Sequence, residues 1–112
     1  MTTKDDQMKV ESASLHVTPP DNDGDSRAEL SLLVVNPSTT SFRAVRVKAL
    51  LRDAEGRVVH TLEQDEGPLL PGDTAFVVAS GYAKLNGAAL AEADVLLSGT
   101  VEVRQRLTVK VR

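Results

Sequence analysis

The sequence has no cysteine among its 112 residues, which excludes disulfides, thiolate metal sites, thiol nucleophiles and redox switches. It also lacks tryptophan and has only one tyrosine and two phenylalanines, so little aromatic surface is available to stack against nucleic-acid bases. Its densest apolar run is 32–35, far short of the roughly 20 residues that span a bilayer. We therefore expect no nucleic-acid partner and no membrane span.

The first seven residues, MTTKDDQ, are polar and acidic, whereas a signal peptide starts with basic residues and continues into an apolar stretch. As written, the chain is predicted to be cytoplasmic. It would be extracytoplasmic if it were a fragment trimmed from a longer protein, so the compartment stays unknown. The Gly-x-x-x-x-Gly-Lys loop of nucleotide-binding proteins is absent too, and we expect no cofactor.

A chain of this length forms one domain with one core. We place that domain over 10–112, after a flexible N-terminal segment 1–9. The formal net charge of −3 hides an uneven distribution, because residues 1–26 sum to −4 and the last twelve residues sum to +3. Any electrostatic role therefore has to be argued from local clusters rather than from the total.

Short alternating runs rich in valine and leucine are separated by Pro, Gly, Asn and Asp, at a spacing of about ten residues. This pattern is typical of antiparallel sandwiches. We predict an all-β fold, an immunoglobulin/fibronectin-III-like antiparallel β-sandwich of about seven strands. The strands predicted before the C-terminal region cover about 10–17, 28–35, 42–52, 57–62 and 75–79.

Two turns and a buried face support this fold. Asp53–Gly56 places glycine where a tight hairpin needs positive φ. Within Leu69–Thr74, Pro71 presets φ at the second position of a type II turn and Gly72 supplies positive φ at the third. Alternation along the strands predicts a set of core-facing side chains: Val45, Val47, Leu51, Val77, Val101, Val103 and Val109.

Two segments allow more than one interpretation. Asn86 fits as the cap of a short helix over Ala88–Ala91, or the stretch is a long crossover loop; we favour one helical turn. Near the end, either Ser98–Gly99 turns a short hairpin, or a strand over about 94–103 meets the last strand across a turn at Arg104–Gln105. The period of the alternation does not separate these two pairings.

Three elements follow one another along the centre of the chain: a strand ending in Asn (LVVN, 33–36), a strand ending in Asp-x-x-Gly (ALLRDAEG, 49–56) and a Pro-Gly turn before the next strand (LPGDTAF, 70–76). This succession resembles the bacterial immunoglobulin-like modules of the FxLYD type. Ala49 and Arg52 stand where that motif has Phe and Tyr, so its aromatic part is missing. The resemblance implies a sandwich fold and a noncatalytic module of an envelope or surface protein.

The loop 21–25 carries three alternating carboxylates, Asp21, Asp23 and Asp25. This is the spacing by which a loop wraps oxygen ligands around calcium. Ser26 stands where an EF-hand-like loop needs glycine, and Leu32 where it needs a bidentate glutamate. We interpret the segment as a solvated acidic hairpin turn, with calcium as a weak alternative and no other metal site predicted.

Basic residues alternate on two strands. One strand carries Arg46, Lys48 and Arg52, and the other carries four cations, Arg104, Arg106, Lys110 and Arg112. The third strand and the last strands of an immunoglobulin-like sandwich usually share a sheet, which would join these side chains in one positive patch that binds an acidic protein surface. The alternative is that they only keep a sheet face soluble and blunt an edge.

No serine lies in a Gly-x-Ser-x-Gly elbow, and His16 and His60 are the only histidines. We therefore do not expect an enzyme, and expect His60 to be a partly buried structural side chain. The predicted function is a noncatalytic protein-binding or structural module, with a homodimer left open. The alternative is an inhibitor or immunity-type protein that blocks a partner enzyme through loops such as Asn36–Ser41 and Glu63–Gly72.

Overall fold

The structure is a computed structural model, and it describes residues 8–84, 90–99 and 104–111. These residues form seven strands. In chain order the strands are β1 (Lys9–Val17), β2 (Asp25–Val35), β3 (Val45–Asp53), β4 (Val58–Glu66), β5 (Thr74–Lys84), β6 (Leu90–Ser98) and β7 (Arg104–Lys110).

The strands pair into two antiparallel sheets, with the orders β1-β2-β5 and β4-β3-β6-β7. This confirms the predicted all-β sandwich of seven strands and is consistent with an immunoglobulin-like fold. In immunoglobulin constant domains the fourth strand joins the sheet of the first two strands, whereas here β4 pairs with β3. The connections from β2 to β3 and from β4 to β5 cross from one sheet to the other. Between the sheets, Gly81 of β5 lies close to the side chains of His60 and Leu62 of β4.

The core lies between the sheets and is built by alternate residues of each strand. Because side chains of a strand point to opposite faces in turn, β3 buries every second residue and exposes or half-buries the others. The predicted core residues Val45, Val47, Leu51, Val77 and Val109 are all buried, as expected. Val101 and Val103 lie outside the described residues.

Two hairpin turns are built on the same pattern, an aspartate followed three positions later by glycine. Gly56 has φ 84° and its N–H donates to the Asp53 carbonyl at 3.0 Å, which confirms the predicted hairpin. Gly24 has φ 82° and donates in the same way to the Asp21 carbonyl at 3.0 Å. Positive φ is a conformation that glycine adopts without steric cost.

The predicted type II turn is also confirmed. Gly72 has φ 80°, and the Asp73 N–H donates to the Leu70 carbonyl at 3.0 Å. These are the features that a type II turn requires at its third and fourth positions.

Some strand boundaries differ from the predicted ones. β5 continues to Lys84 instead of ending near Ala79, and the favoured helical turn is wrong for residues 90 and 91, which begin β6. Residues 85–89 lie outside the described part of the chain. The alternative turn at Arg104–Gln105 is wrong as well, because both residues belong to β7. Ser98, which the other alternative placed in the turn, is the last residue of β6 and pairs with Arg104; residues 100–103 are not described.

The N-terminal part of the described chain is tied to the last strand. The Met8 N–H donates to Gln105 Oε1 at 2.7 Å, and Gln105 Nε2 donates to the Met8 carbonyl at 2.6 Å. Met8 is buried at an end of the sandwich where Phe42 lies against Gly99. The last position of the predicted flexible segment 1–9, Lys9, is the first residue of β1.

Candidate functional site

The two strands that carry the alternating cations lie in one sheet, on either side of β6. Their registers define rows across its outer face. Lys48 pairs with Leu96 and Leu96 with Arg106, while Arg46 pairs with Ser98 and Ser98 with Arg104. Neighbouring strands are about 4.8 Å apart, so the backbones of β3 and β7 flank β6 at a separation of about 10 Å.

A surface cleft of about 520 Å³ lies over these rows. We call it the basic cleft, and its outward-facing lining is Arg46, Lys48, Glu63, Asp65, Leu96, Ser98 and Arg106. The alternation of β3 positions two of the cations, because the burial of Val47 turns its neighbours on either side to solvent. Leu96 and Ser98 are half-buried and form the floor.

The charges of the basic cleft are only partly compensated. Lys48 Nζ lies 4.0 Å from Glu63 Oε1, with side chains 53% and 69% exposed, and ion pairs this exposed contribute little to stability. Within the described chain, neither Arg46 nor Arg106 forms an ion pair, although both are exposed. Although Asp65 lies opposite Arg46 in register, these two arginines have no ion-pair partner among the described residues and can bind an anionic group from outside.

Arg52 does not contribute to this positive charge. Its Nη2 lies 2.7 Å from Asp94 Oδ2, its Nε donates to the same oxygen at 2.9 Å, and its Nη1 donates to the Gly56 carbonyl at 2.9 Å. The guanidinium is half-buried and committed to β6 and to the β3–β4 turn. Arg52 therefore makes its contacts within the fold and does not belong to the predicted positive patch.

The remaining predicted cations lie apart or cannot be placed. Lys110 is exposed and pairs in register with Glu92, two rows beyond the basic cleft. Arg104 belongs to β7 by its backbone, but its side chain and the whole of Arg112 are outside the described residues. The six predicted site residues therefore reduce to a described cluster of three: Arg46, Lys48 and Arg106.

The acidic turn 21–25 is stabilised by hydrogen bonds from its own backbone N–H groups. Asp21 Oδ1 accepts the N–H groups of Asp23 at 2.9 Å and of Asp25 at 3.0 Å, which leaves that oxygen facing amides. No group of three or more His, Asp or Glu side chains positioned to hold a metal occurs in the described residues. His16 is exposed on β1, and His60 is half-buried with Nε2 3.5 Å from where a Cβ on Gly81 would lie.

Sequence reasoning missed two features. Phe76 and Tyr82 are 63% and 66% exposed on β5, and the burial predicted for Val77 would have placed Phe76 on the outer face by parity. Asn36 is fully buried and joins two loops through its side chain. The only signal for Asn36 was its place at a strand end, because its partner at Leu69 lies 33 positions away.

The described residues contain no helix of the length and apolarity that a membrane crossing would require.

No protein-family model matches the chain, and no curated protein matches it either. Solved structures do match its fold. The crystal structure of Bacteroides uniformis beta-glucuronidase has a TM-score of 0.57 at 9% sequence identity, over 93% of this chain and 12% of that one. The X-ray structure of a Northeast Structural Genomics Consortium target has a TM-score of 0.51 at 10% identity, over 98% of this chain and 85% of that one. At these identities the likeness concerns the fold alone, and the chain spans a small part of the glucuronidase.

Proposed function

We propose that this protein is a noncatalytic binding module that engages an acidic region of another protein through the basic cleft. The observation that carries the proposal is the pair of exposed arginines, Arg46 and Arg106, which stand on either side of β6 in neighbouring rows and form no ion pair with any described residue. Arginine is enriched in protein interfaces, and its planar guanidinium binds carboxylates with two parallel hydrogen bonds.

The composition of the basic cleft suits it to a partner of opposite charge. Exposed cations steer an acidic surface toward the face and raise the association rate. Leu96 offers an apolar contact at the centre, where a desolvated side chain slows dissociation. The turn elements shared with FxLYD-type domains support the noncatalytic part of the proposal, by resemblance alone.

The test compares two triple variants with the same change in charge. The first, Arg46→Glu, Lys48→Glu and Arg106→Glu, reverses the described cations of the basic cleft. The second reverses three exposed cations elsewhere, Lys9, Arg27 and Arg43. A partner is captured from native lysate, purified, and its association rate with each variant is measured at two salt concentrations.

We expect the cleft variant to associate about tenfold more slowly or worse, and the wild-type rate to fall with salt. The control variant should change the rate much less, because none of its three residues lines the basic cleft. Equal rates for the wild type and the cleft variant would show that the partner binds elsewhere.

One observation favours inhibition of a partner enzyme as a second candidate function. Leu70 is 52% exposed at the first position of the type II turn, and this loop is fixed by hydrogen bonds to Asn36. An exposed apolar residue on a rigid turn is suited to fill a partner's pocket. Leu70→Asp should then abolish capture of the partner while leaving the melting temperature unchanged, whereas the cleft variant should bind normally.

A further inference from the structure

We infer, on the basis of the proposed function, that the basic cleft binds one extended segment of the partner. This segment lies along β6, with an apolar side chain packed on Leu96 and, two residues further along, a carboxylate over Ser98. The segment is identified by its alternation: an apolar residue and an acidic residue on the same face of an extended chain. The width of the basic cleft, the spacing of its rows and the charges of its lining residues each favour such a segment.

The width admits a single extended chain. Lys48 and Arg106 stand on strands separated only by β6, which puts their backbones about 10 Å apart. A helix with its side chains is about 10–12 Å across and would have to displace both cations. An extended chain needs roughly 5 Å and fits over β6 between them.

The spacing of the rows matches the spacing of side chains in such a chain. Leu96 and Ser98 are two residues apart on β6, so the two rows are about 6.7 Å apart. Side chains on the same face of an extended peptide have the same separation. A residue that packs on Leu96 therefore carries its second neighbour to Ser98, beside Arg46.

The charged residues around Leu96 decide on which side of it the partner's carboxylate binds. Over Ser98, Arg46 is exposed and unpaired among the described residues, and the serine hydroxyl offers a further donor. In the opposite direction along β6 the next outward residue is Asp94, which would repel an acid although Arg52 partly neutralises it. On the β4 side, Glu63 and Asp65 repel carboxylates and confine them to the space over β6.

Two blocked peptides of identical composition test the inference. In Gly-Ser-Glu-Ser-Leu-Ser-Ser-Ser-Gly the acid lies two residues from the leucine, and the chain direction that places it over Ser98 keeps it away from Asp94. In Gly-Ser-Ser-Glu-Leu-Ser-Ser-Ser-Gly the acid is adjacent to the leucine and projects to the opposite face of an extended chain. Binding to the full chain is followed by NMR titration of the backbone amides.

We expect the first peptide to bind about tenfold more tightly than the second, with the largest amide shifts on β6. Leu96→Thr should remove most of this difference while retaining strand propensity, and Arg46→Gln should weaken the first peptide about fivefold or more. The control Arg27→Gln should leave both affinities unchanged. Melting temperatures of all variants verify that the fold is retained.

The remaining outcomes separate this inference from the proposed function. Equal binding of the two peptides, lost in the triple cleft variant, overturns the inference and leaves the proposed function standing. Binding of neither peptide at millimolar concentration also overturns it, and the proposed function is then decided by the association rate of the captured partner. An oligothymidylate that binds as tightly as the first peptide overturns it too, because the basic cleft would then recognise polyanions without regard to pattern.

Discussion

Asn36 links two loops at one end of the sandwich through every hydrogen-bonding position of its side chain. Nδ2 donates to the carbonyls of Thr40 at 2.7 Å and Leu69 at 3.1 Å. Oδ1 accepts from the N–H of Ser38 at 3.0 Å and from its hydroxyl at 2.7 Å. The first and third elements of the FxLYD-like pattern, the strand-ending asparagine and the Pro-Gly turn, are thus joined in space, since the Gly72 N–H donates to the Asn36 carbonyl at 2.7 Å.

We expect Asn36→Ala to lower the free energy of unfolding by about 3 kcal/mol, because it removes four side-chain hydrogen bonds and leaves buried partners unsatisfied. Urea denaturation measures the change. Thr39→Ala in the same loop is the control and should change it by less than about 0.5 kcal/mol, since Thr39 is exposed. A similar effect of both variants would contradict a special role for the asparagine.

Asp53 makes part of the stability depend on pH. The Arg57 N–H, donating to Oδ1 at 3.0 Å, is the main cause that holds the pKa of Asp53 below its ordinary value of 3.8; burial opposes it, and the Glu55 N–H and the Arg57 guanidinium add to it. A carboxyl whose pKa is lower when folded stabilises above its unfolded pKa and loses that contribution as pH falls through the folded pKa. This contribution therefore disappears on acidification below about pH 4.

The expected result is that wild type is more stable than Asp53→Asn at neutral pH and that the difference shrinks as pH falls from about 5 to about 3. Urea denaturation at several pH values measures it, and taking the difference cancels the titration of the other carboxyls. A difference that stays constant across this range would show that the charge of Asp53 does not stabilise the turn.

At the scale of elements, the aspartate side chain of each aspartate-glycine turn accepts hydrogen bonds from backbone N–H groups of the same turn. Asp21 receives the same two N–H contacts as Asp53, from the residues two and four positions later. The acidic sequence of 21–25 thus has a local explanation as turn chemistry. Such turns could be predicted from the sequence, because all their partners lie within a few residues.

We expect millimolar calcium or EDTA to leave the melting temperature unchanged within error. Asp21 Oδ1 already faces amide donors, and the loop has no closing glutamate at Leu32. A ligand bound to the native state would raise the melting temperature. A clear rise with calcium would therefore show that the turn rearranges into a binding loop.

The start of β6 could not be predicted from local sequence. Its alanines favour a helix and are poor strand formers, yet Leu90 and Ala93 are buried against the core and β6 pairs with both β3 and β7. A central strand gains ladder hydrogen bonds on both sides, and this tertiary gain outweighs propensity. One partner, β3, is far from β6 along the chain and lies outside the local sequence that a propensity argument uses.

At the scale of the molecule, strand parity correctly placed the core, but the charge of the outer face depended on register. Alternation predicted that Arg46 and Arg52 face outward together. It did not indicate that β6 brings Asp94 to Arg52 and only Ser98 to Arg46. Arg52 is therefore committed to the fold by a residue 42 positions away along the chain, whereas Arg46, with Asp65 opposite it on β4, forms no ion pair with a described residue.

Val47→Ala tests the packing beneath the basic cleft. The side chain is buried between the sheets, so its truncation should lower the free energy of unfolding by about 1–3 kcal/mol through lost burial and a residual cavity. Val58→Ala is the matched control, because Val58 is 48% exposed, and it should cost less than about 0.5 kcal/mol. Equal costs measured by urea denaturation would contradict the inward orientation of Val47.

The contact between Met8 and Gln105 joins positions 97 apart, and this has a consequence during synthesis on the ribosome. Until β7 has emerged, the nascent chain lacks the amide that holds Met8 and the strand that carries Arg106. Contacts of such long sequence separation form late and slow folding. A stalled or shortened chain would expose the unpaired edge of β6, which is a template for association with other strands. The completion of the basic cleft and the protection of that edge thus depend on the same few residues, which are translated after the other six described strands.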